Sequence, residues 1–87
     1  MSYEVILSRN ALKYIKKLPP EDRKRIKEAL LKLSQNPWFT QYKKLRGYPF
    51  YRIRVGDYRV IYSVDDESKT VYVVKIGKRG EVYKNIG

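Results

Sequence analysis

The dipeptide Gly56-Asp57, with β-type segments on both sides, constrains the fold of this 87-residue chain more than any other feature. Two residues between two strand patterns predict a β-hairpin, and glycine at the first central position suits a type II′ turn. A loop of this length also fixes the pairing, so that Arg54 lies opposite Arg59. Because a shift of one residue would move every side chain to the other face, the sequence predicts which side chains share each face.

The two faces of this hairpin differ in chemistry. One is apolar or aromatic and is expected to face the core, with Tyr51, Ile53, Val55, Tyr58, Val60, Tyr62 and Val64. The other carries Arg52, Arg54 and Arg59, and Asp57 is the only acidic residue between positions 36 and 64. Like charges directly opposite in a sheet cost up to about 1 kcal/mol. An edge-protecting role is one explanation, but planar guanidinium groups suit phosphate better, which favours an external anion.

The residues before the hairpin predict one strand and two helices. The β-branched and aromatic run from Tyr3 to Leu7 predicts the strand. Ser8 suits the N-cap of a first helix that Pro19-Pro20 ends, and a second helix runs from Pro20 to Asn36-Pro37. The apolar stripes of the helices are Leu12, Ile15 and Leu18, then Ile26, Ala29, Leu30 and Leu33.

Residues 38–49 have no regular pattern and predict an irregular connection. Three strands follow it, at Phe50–Val55, Tyr58–Val64 and Thr70–Ile76. We therefore predict a single α+β domain over residues 1–87, in the order β-α-α-β-β-β. Its helical hairpin packs on one face of a small, mainly antiparallel sheet.

The third of these strands extends the basic face. If Tyr72, Val74 and Ile76 face the core, then Lys75 lies on the same side as the arginines.

The charge and composition narrow the function classes. The net charge is +11, with 20 Lys and Arg against nine Asp and Glu, which favours a polyanionic partner such as nucleic acid. The chain contains neither His nor Cys, so imidazole and thiolate chemistry and Cys/His metal sites are excluded. We expect no cofactor, no metal and no membrane association, and a cytoplasmic location by default.

Four motifs together resemble the RelE branch of the RelE/ParE toxin superfamily. They are Lys44-Leu45-Arg46-Gly47, Tyr51-Arg52-Ile53-Arg54, Gly56-Asp57-Tyr58-Arg59-Val60-Ile61-Tyr62, and Gly77-Lys78-Arg79 with Glu81-Val82-Tyr83. The resemblance covers nearly the whole chain and implies the compact microbial-RNase-like fold of that superfamily. It also implies a toxin of a type II toxin–antitoxin system that cleaves mRNA in the ribosomal A site and is restrained by a cognate acidic antitoxin.

The resemblance also implies the site residues. The catalytic set is Arg52, Arg54, Arg59, Arg79 and Tyr83, and further RNA-binding residues are Lys43, Lys44, Arg46, Lys75 and Lys78. Familiar bacterial members carry lysines where Arg52 and Arg54 stand. Because arginine keeps its proton near neutral pH, a proton-transfer role at these two positions is not expected here.

The mechanism implied needs no nucleophilic side chain, because RNA supplies its own 2′-hydroxyl. Cleavage leaves a 2′,3′-cyclic phosphate and a 5′-hydroxyl. Arginines stabilise the transition-state charge, and without His the best general base is Tyr83, whose ordinary pKa near 10 neighbouring cations lower. Two other functions stay open on this fold: a ParE-like, non-enzymatic poison of DNA gyrase, and a plain RNA-binding module.

Overall fold

The computed structural model describes residues 2–78. Its elements follow the order β1 (Glu4–Leu7), α1 (Arg9–Lys17), α2 (Pro20–Gln35), β2 (Tyr42–Lys44), β3 (Tyr51–Val55), β4 (Tyr58–Asp65) and β5 (Thr70–Lys78). The strands of this region form one sheet in the order β1-β5-β4-β3-β2. Only the β1–β5 pair is parallel, so the predicted mainly antiparallel α+β fold is confirmed. The connection predicted to be irregular contains one further short strand, β2.

The boundaries of both helices agree with the sequence prediction. The Ser8 hydroxyl oxygen accepts a hydrogen bond from the Ala11 amide at 3.0 Å and so caps α1. Pro20 occupies the first turn of α2, where its missing N–H costs nothing, and Asn36 caps the other end. Arg23 Nη2 donates to the Leu18 carbonyl at 3.0 Å and joins the two helices.

The helices cover one face of the sheet and bury the core there. Residues of α1 and α2 that pack on it include Ala11, Ile15, Ile26, Ala29 and Leu33. The sheet contributes Ile53, Val55, Tyr58, Val60, Tyr62, Val71, Val73 and Ile76. We call the opposite side of the sheet the open face.

The central hairpin has the predicted register. Val55 pairs with Tyr58 and Arg54 pairs with Arg59 across the Gly56-Asp57 turn. Gly56 has φ +59°, as the first position of a type II′ turn requires. A Cβ at this position would lie 2.9 Å from Arg25 Nη1, the far end of a flexible side chain that can move aside, so the turn needs glycine for its backbone conformation.

A β-bulge in β5 corrects the prediction for the last strand. Ile61 pairs with Lys75 but Tyr62 pairs with Val73, so Val74 is an extra residue without a partner on β4. The bulge shifts the alternation of β5. As a result Tyr72 is exposed and Val74 only half-buried, and the prediction that both face the core is wrong, whereas Ile76 is buried as predicted.

Ser8 also stabilises this bulge. Its hydroxyl donates to the Val74 carbonyl at 2.7 Å, and its amide donates to the Val73 carbonyl at 2.9 Å. The residue that caps α1 therefore satisfies the backbone of β5 where the ladder is interrupted. Within residues 2–78, neither helix is long and apolar enough to cross a bilayer.

A hydrogen bond between Tyr58 and Asp22 joins the hairpin to the first turn of α2. The Tyr58 hydroxyl donates to Asp22 Oδ2 at 2.7 Å. This bond, together with burial, raises the pKa of Tyr58 from 10.0 to about 12. The unfolded chain releases this proton near pH 10, so the stabilisation is complete below that pH and is lost as the pH rises through about 12.

We therefore expect Tyr58→Phe to lower the free energy of unfolding by about 1.5–3 kcal/mol at pH 7, the usual contribution of a hydrogen bond to a charged group. The variant should also lose less stability than the parent between pH 10 and 12, measured by urea unfolding. Part of the alkaline loss should remain, because burial also raises the pKa of Tyr62. Tyr72→Phe, which alters an exposed ring, serves as the control. Equal alkaline losses in Tyr58→Phe and the parent would contradict this assignment.

Candidate nucleic-acid interface

Three arginines lie together on the open face of the sheet. Arg54 and Arg59 are directly opposite each other, and Arg52 lies two residues before Arg54 on β3. Their exposure differs: Arg54 is exposed, Arg52 is half-buried, and Arg59 is only 6% exposed. Arg59 pairs on its other side with Gly77, which has no side chain. The register thus concentrates positive charge at one end of the open face, and a buried guanidinium lies within it.

A cavity of about 420 Å³ opens among these arginines. We call it the arginine cavity; its lining residues are Thr40, Gln41, Tyr42, Lys43, Arg52, Arg54 and Arg59. Its volume falls in the range of ordinary small-ligand sites, about 300–1,000 Å³. Four of the lining residues are cationic and none is acidic, so the cavity suits an anion of nucleotide size.

A second cavity, of about 370 Å³, extends the cationic surface around the hairpin turn. Its lining consists of Arg54, Gly56, Asp57, Arg59 and Lys78. Because Arg54 and Arg59 line both cavities, the two cavities adjoin each other, and we call them together the trough. Asp57 at the turn is the acidic member of this second cavity. The trough can follow a phosphate backbone over more than one nucleotide.

An apolar residue lies in the middle of the open face. Ile61 is fully buried although its side chain faces away from the helices. Its cross-strand neighbours are Arg52 on β3 and Lys75 on β5. Aliphatic stems of such long cationic side chains cover apolar surface while their charged ends reach outward. A dry centre of this kind lowers the local dielectric and would strengthen an arginine–phosphate contact formed beside it.

The predicted RNA-binding lysines do not all lie at the trough. Lys43 pairs with Arg52 and lies on the open face, and Lys75 lies on the same face across Ile61. Lys78 lines the second cavity. Lys44, by contrast, pairs with Tyr51 and therefore lies on the helix side of edge strand β2.

Of three further predicted residues, the structure describes only Arg46. Arg46 is exposed in the β2–β3 loop, where Gly47 has φ +79°. Arg79 and Tyr83 lie outside the described residues. Of the predicted site, the structure therefore brings together Arg52, Arg54, Arg59, Lys43 and Lys78.

Sequence reasoning missed the segment that closes one side of the arginine cavity. Thr40, Gln41 and Tyr42 line it, but β2 is only three residues long and leaves almost no periodic signal. The buried Ile61 did have a signal. The continuous apolar run Val60-Ile61-Tyr62 is typical of a strand buried on both faces.

Comparison with known proteins identifies relatives of this chain. Residues 5–83 match the family model described as ParE toxin of type II toxin-antitoxin system, parDE. The mRNA interferase toxin RelE of Escherichia coli K12 is 36% identical over 88 residues, which cover 95% of this chain and 92% of that protein.

Solved structures agree with the sequence relatives. The toxin in the archaeal RelE–RelB complex from Pyrococcus horikoshii is 34% identical and superposes with a TM-score of 0.81, covering 92% of this chain and 98% of that one. The corresponding chain of the RelBE2 toxin–antitoxin complex from Mycobacterium tuberculosis is 30% identical with a TM-score of 0.81, covering 91% of this chain and 100% of that one.

Because Arg54 and Arg59 lie opposite each other, we expect their repulsion to affect the stability of the protein in the absence of any ligand. Arg54→Gln should raise the free energy of unfolding by up to about 1 kcal/mol at low salt, because it removes a like-charge pair. The gain should shrink as ionic strength rises from about 0.01 M to about 0.1 M, where the screening length falls from about 30 to about 10 Å. Arg46→Gln, in an exposed loop, should change stability by less than about 0.5 kcal/mol. A destabilised Arg54→Gln protein in urea titrations would argue against electrostatic strain at this site.

Proposed function

The chain belongs to the RelE/ParE family of toxins from type II toxin–antitoxin systems, and we propose that it is a RelE-type endoribonuclease that cleaves mRNA in the A site of translating ribosomes. The observation that carries the proposal is the arginine cavity. It places three arginines and Lys43 around a nucleotide-sized space, with no acidic residue in its lining. The 36% sequence identity to an mRNA interferase toxin, over 95% of this chain, also supports the proposal.

The cleavage step is an attack by the RNA on itself. The 2′-oxygen bonds to the adjacent phosphorus, the bond from that phosphorus to the 5′-oxygen breaks, and a 2′,3′-cyclic phosphate and a 5′-hydroxyl result. Tyr83, as its phenolate, takes the proton of the 2′-hydroxyl. Arg79 or Lys78 assists the departing 5′-oxygen, which takes up a proton from the Lys78 ammonium or from water to become the 5′-hydroxyl. Atoms and charge balance without an added nucleophile or cofactor.

The arginines have electrostatic and positioning roles. Arg54 flanks the scissile phosphate together with Arg79, and Arg52 and Arg59 hold the RNA backbone and the transition state. Since arginine stays protonated, these side chains stabilise charge without transferring protons. Arg59 is already buried among its neighbours, so it needs little reorganisation when charge develops on the phosphate.

The ribosome supplies what this site lacks. A tyrosine base and arginine electrostatics form a weak acid–base set, so rapid cleavage depends on a scaffold that bends the RNA into line. We therefore infer that free RNA is cleaved slowly and that the A-site codon is the substrate.

A cognate antitoxin is the second partner. Two of the solved relatives are toxins in complex with their antitoxins, RelB in P. horikoshii and the RelBE2 partner in M. tuberculosis. With a net charge of +11, this chain suits an acidic antitoxin segment that covers the trough.

The rival function is poisoning of DNA gyrase, which the ParE description of the matching family model favours. Such an inhibitor needs no general base. A plain RNA-binding module, in contrast, would bind RNA without cutting it.

The first test is expression in growing cells, with mapping of mRNA 5′ ends. The proposal predicts cuts in codon phase within translated frames. Tyr83→Phe should reduce cleavage by about 10²- to 10⁴-fold, the usual contribution of general base catalysis. Tyr72→Phe, a substitution on an exposed tyrosine, should cleave like the parent.

Two results would overturn the proposal. Intact mRNA together with damaged chromosomal DNA, and toxicity unchanged in Tyr83→Phe, would establish the gyrase function. Rapid cutting of purified RNA without codon phase would exclude the dependence on the ribosome.

The trough can be tested separately through the salt dependence of RNA binding. Each phosphate neutralised contributes about −0.7 to the slope of log K against log salt for single strands. Lys43→Gln should make the slope shallower by about that amount. Lys16→Gln, a change on the exposed side of α1, should leave it unaltered. Equal slopes in both variants would place the phosphate path elsewhere.

A further inference from the structure

A series of aromatic rings in contact with one another extends from the core to the edge of the sheet. The innermost member, Tyr62, is fully buried and donates a hydrogen bond to the Pro37 carbonyl at 2.8 Å. Its ring lies 6.0 Å from that of Tyr51. The Tyr51 ring lies 4.9 Å from Trp38 and 5.7 Å from Tyr42, measured between ring centroids. The outermost rings of this series are those of Trp38 and Tyr42, whose centroids are 4.8 Å apart. We call these two residues the edge aromatic pair.

The edge aromatic pair is exposed to solvent. Trp38 is 37% and Tyr42 46% exposed, and every residue of β2 is exposed. Ring contacts of this kind are favourable and help to fix both side chains in place. Two large rings held rigidly at the surface form a suitable stacking surface, because they lose little conformational entropy when a flat ligand binds.

Tyr42 connects this pair to the arginine cavity. It is a member of the pair and also one of the residues that line the cavity. Single-stranded nucleic acid is bound in this way, with cations along the backbone and aromatic rings against the bases. Neither the exposed rings nor the cavity alone indicates a particular ligand, but their junction at Tyr42 does.

We propose that Trp38 and Tyr42 form a stacking site for the base of a nucleotide next to the one whose phosphate occupies the arginine cavity. This inference rests on the proposed RNA substrate and extends it to a base subsite outside the catalytic set. A π-surface accepts any base, so the subsite contributes affinity and position with little sequence preference.

The position of β2 allows an RNA strand to reach both places. Successive side chains of a strand point to opposite faces, so Lys43 lies on the open face while Tyr42 lies on the helix side. In the described part of the chain β2 is the last strand on this side of the sheet. The RNA can therefore leave the trough around this edge and bring the next base against the rings.

Trp38 is the only tryptophan of the chain and reports on its own site. The test titrates the full chain with a short 2′-O-methyl RNA, which cannot be cleaved because its 2′-oxygens are blocked. Tryptophan emission and the anisotropy of a labelled oligonucleotide are recorded in parallel. Quenching of Trp38 fluorescence over the concentration range in which anisotropy rises is the expected result.

Variants of Tyr42 supply the energetic test. Tyr42→Leu keeps bulk but removes the ring, and should weaken binding by about 5- to 150-fold, the range that corresponds to 1–3 kcal/mol of base stacking. Tyr42→Phe keeps the ring and should bind like the parent. Tyr72→Leu removes a tyrosine of similar exposure that lies on β5, and should change affinity less than about twofold. Thermal melts verify that each variant is folded.

The outcomes separate this inference from the proposed function. A rise in anisotropy without any change in Trp38 emission, with Tyr42→Leu equal to Tyr72→Leu, overturns the stacking site and leaves the nuclease proposal intact. Quenching that depends on Tyr42, found together with uncut mRNA in cells, supports the site and overturns cleavage. A flat anisotropy trace overturns the stacking site, and the mRNA 5′ ends mapped in cells decide the nuclease proposal independently.

Discussion

The two-residue turn at Gly56-Asp57 sets the face on which each side chain of the central hairpin lies. With Gly56 at φ +59°, a residue with a side chain would be strained in this turn, and the two-residue loop fixes the register. The turn thereby places Tyr58 and Tyr62 in the core and Arg54 and Arg59 on the open face. A slip of one residue would bury guanidinium groups under the helices, at a cost far above the stability of a small domain.

The same constraint separates two kinds of surface at the edge of the sheet. On the open face like charges lie next to each other, which is unfavourable until an anion arrives. On the helix side of β2 the aromatic rings support one another and need no ligand to hold their positions. Part of the binding free energy of a polyanion is therefore relief of repulsion already present in the folded protein.

The sequence predicts those parts of the fold that depend on local periodicity and turn chemistry. The helix ends at Ser8 and Pro20 and the pairing of Arg54 with Arg59 follow from short-range rules. The bulge at Val74 does not, because its stabilising partner, Ser8, is 66 residues away in the chain. Likewise, the three residues of β2 form a strand only because β3 offers a partner. The placement of Arg52, Arg54 and Arg59 on one face was predictable from the sequence. The lining of the arginine cavity by residues 40–42, and the burial of Arg59, depend on tertiary contacts.

Arginine at positions 52 and 54 limits which parts of the proposed chemistry these side chains can perform. A lysine can both hold a phosphate and exchange a proton, whereas an arginine can do only the first. Guanidinium groups, however, bind phosphate in a fixed bidentate geometry. They are also less strongly hydrated than ammonium groups and so cost less free energy to bury, which agrees with the half-buried Arg52 beside Ile61. Under the proposed function, the trough therefore serves to position the RNA and to stabilise charge. In this proposal proton transfer depends on few side chains, Tyr83 above all. The reaction therefore requires an RNA whose 2′-oxygen is already aligned with the scissile phosphorus–oxygen bond.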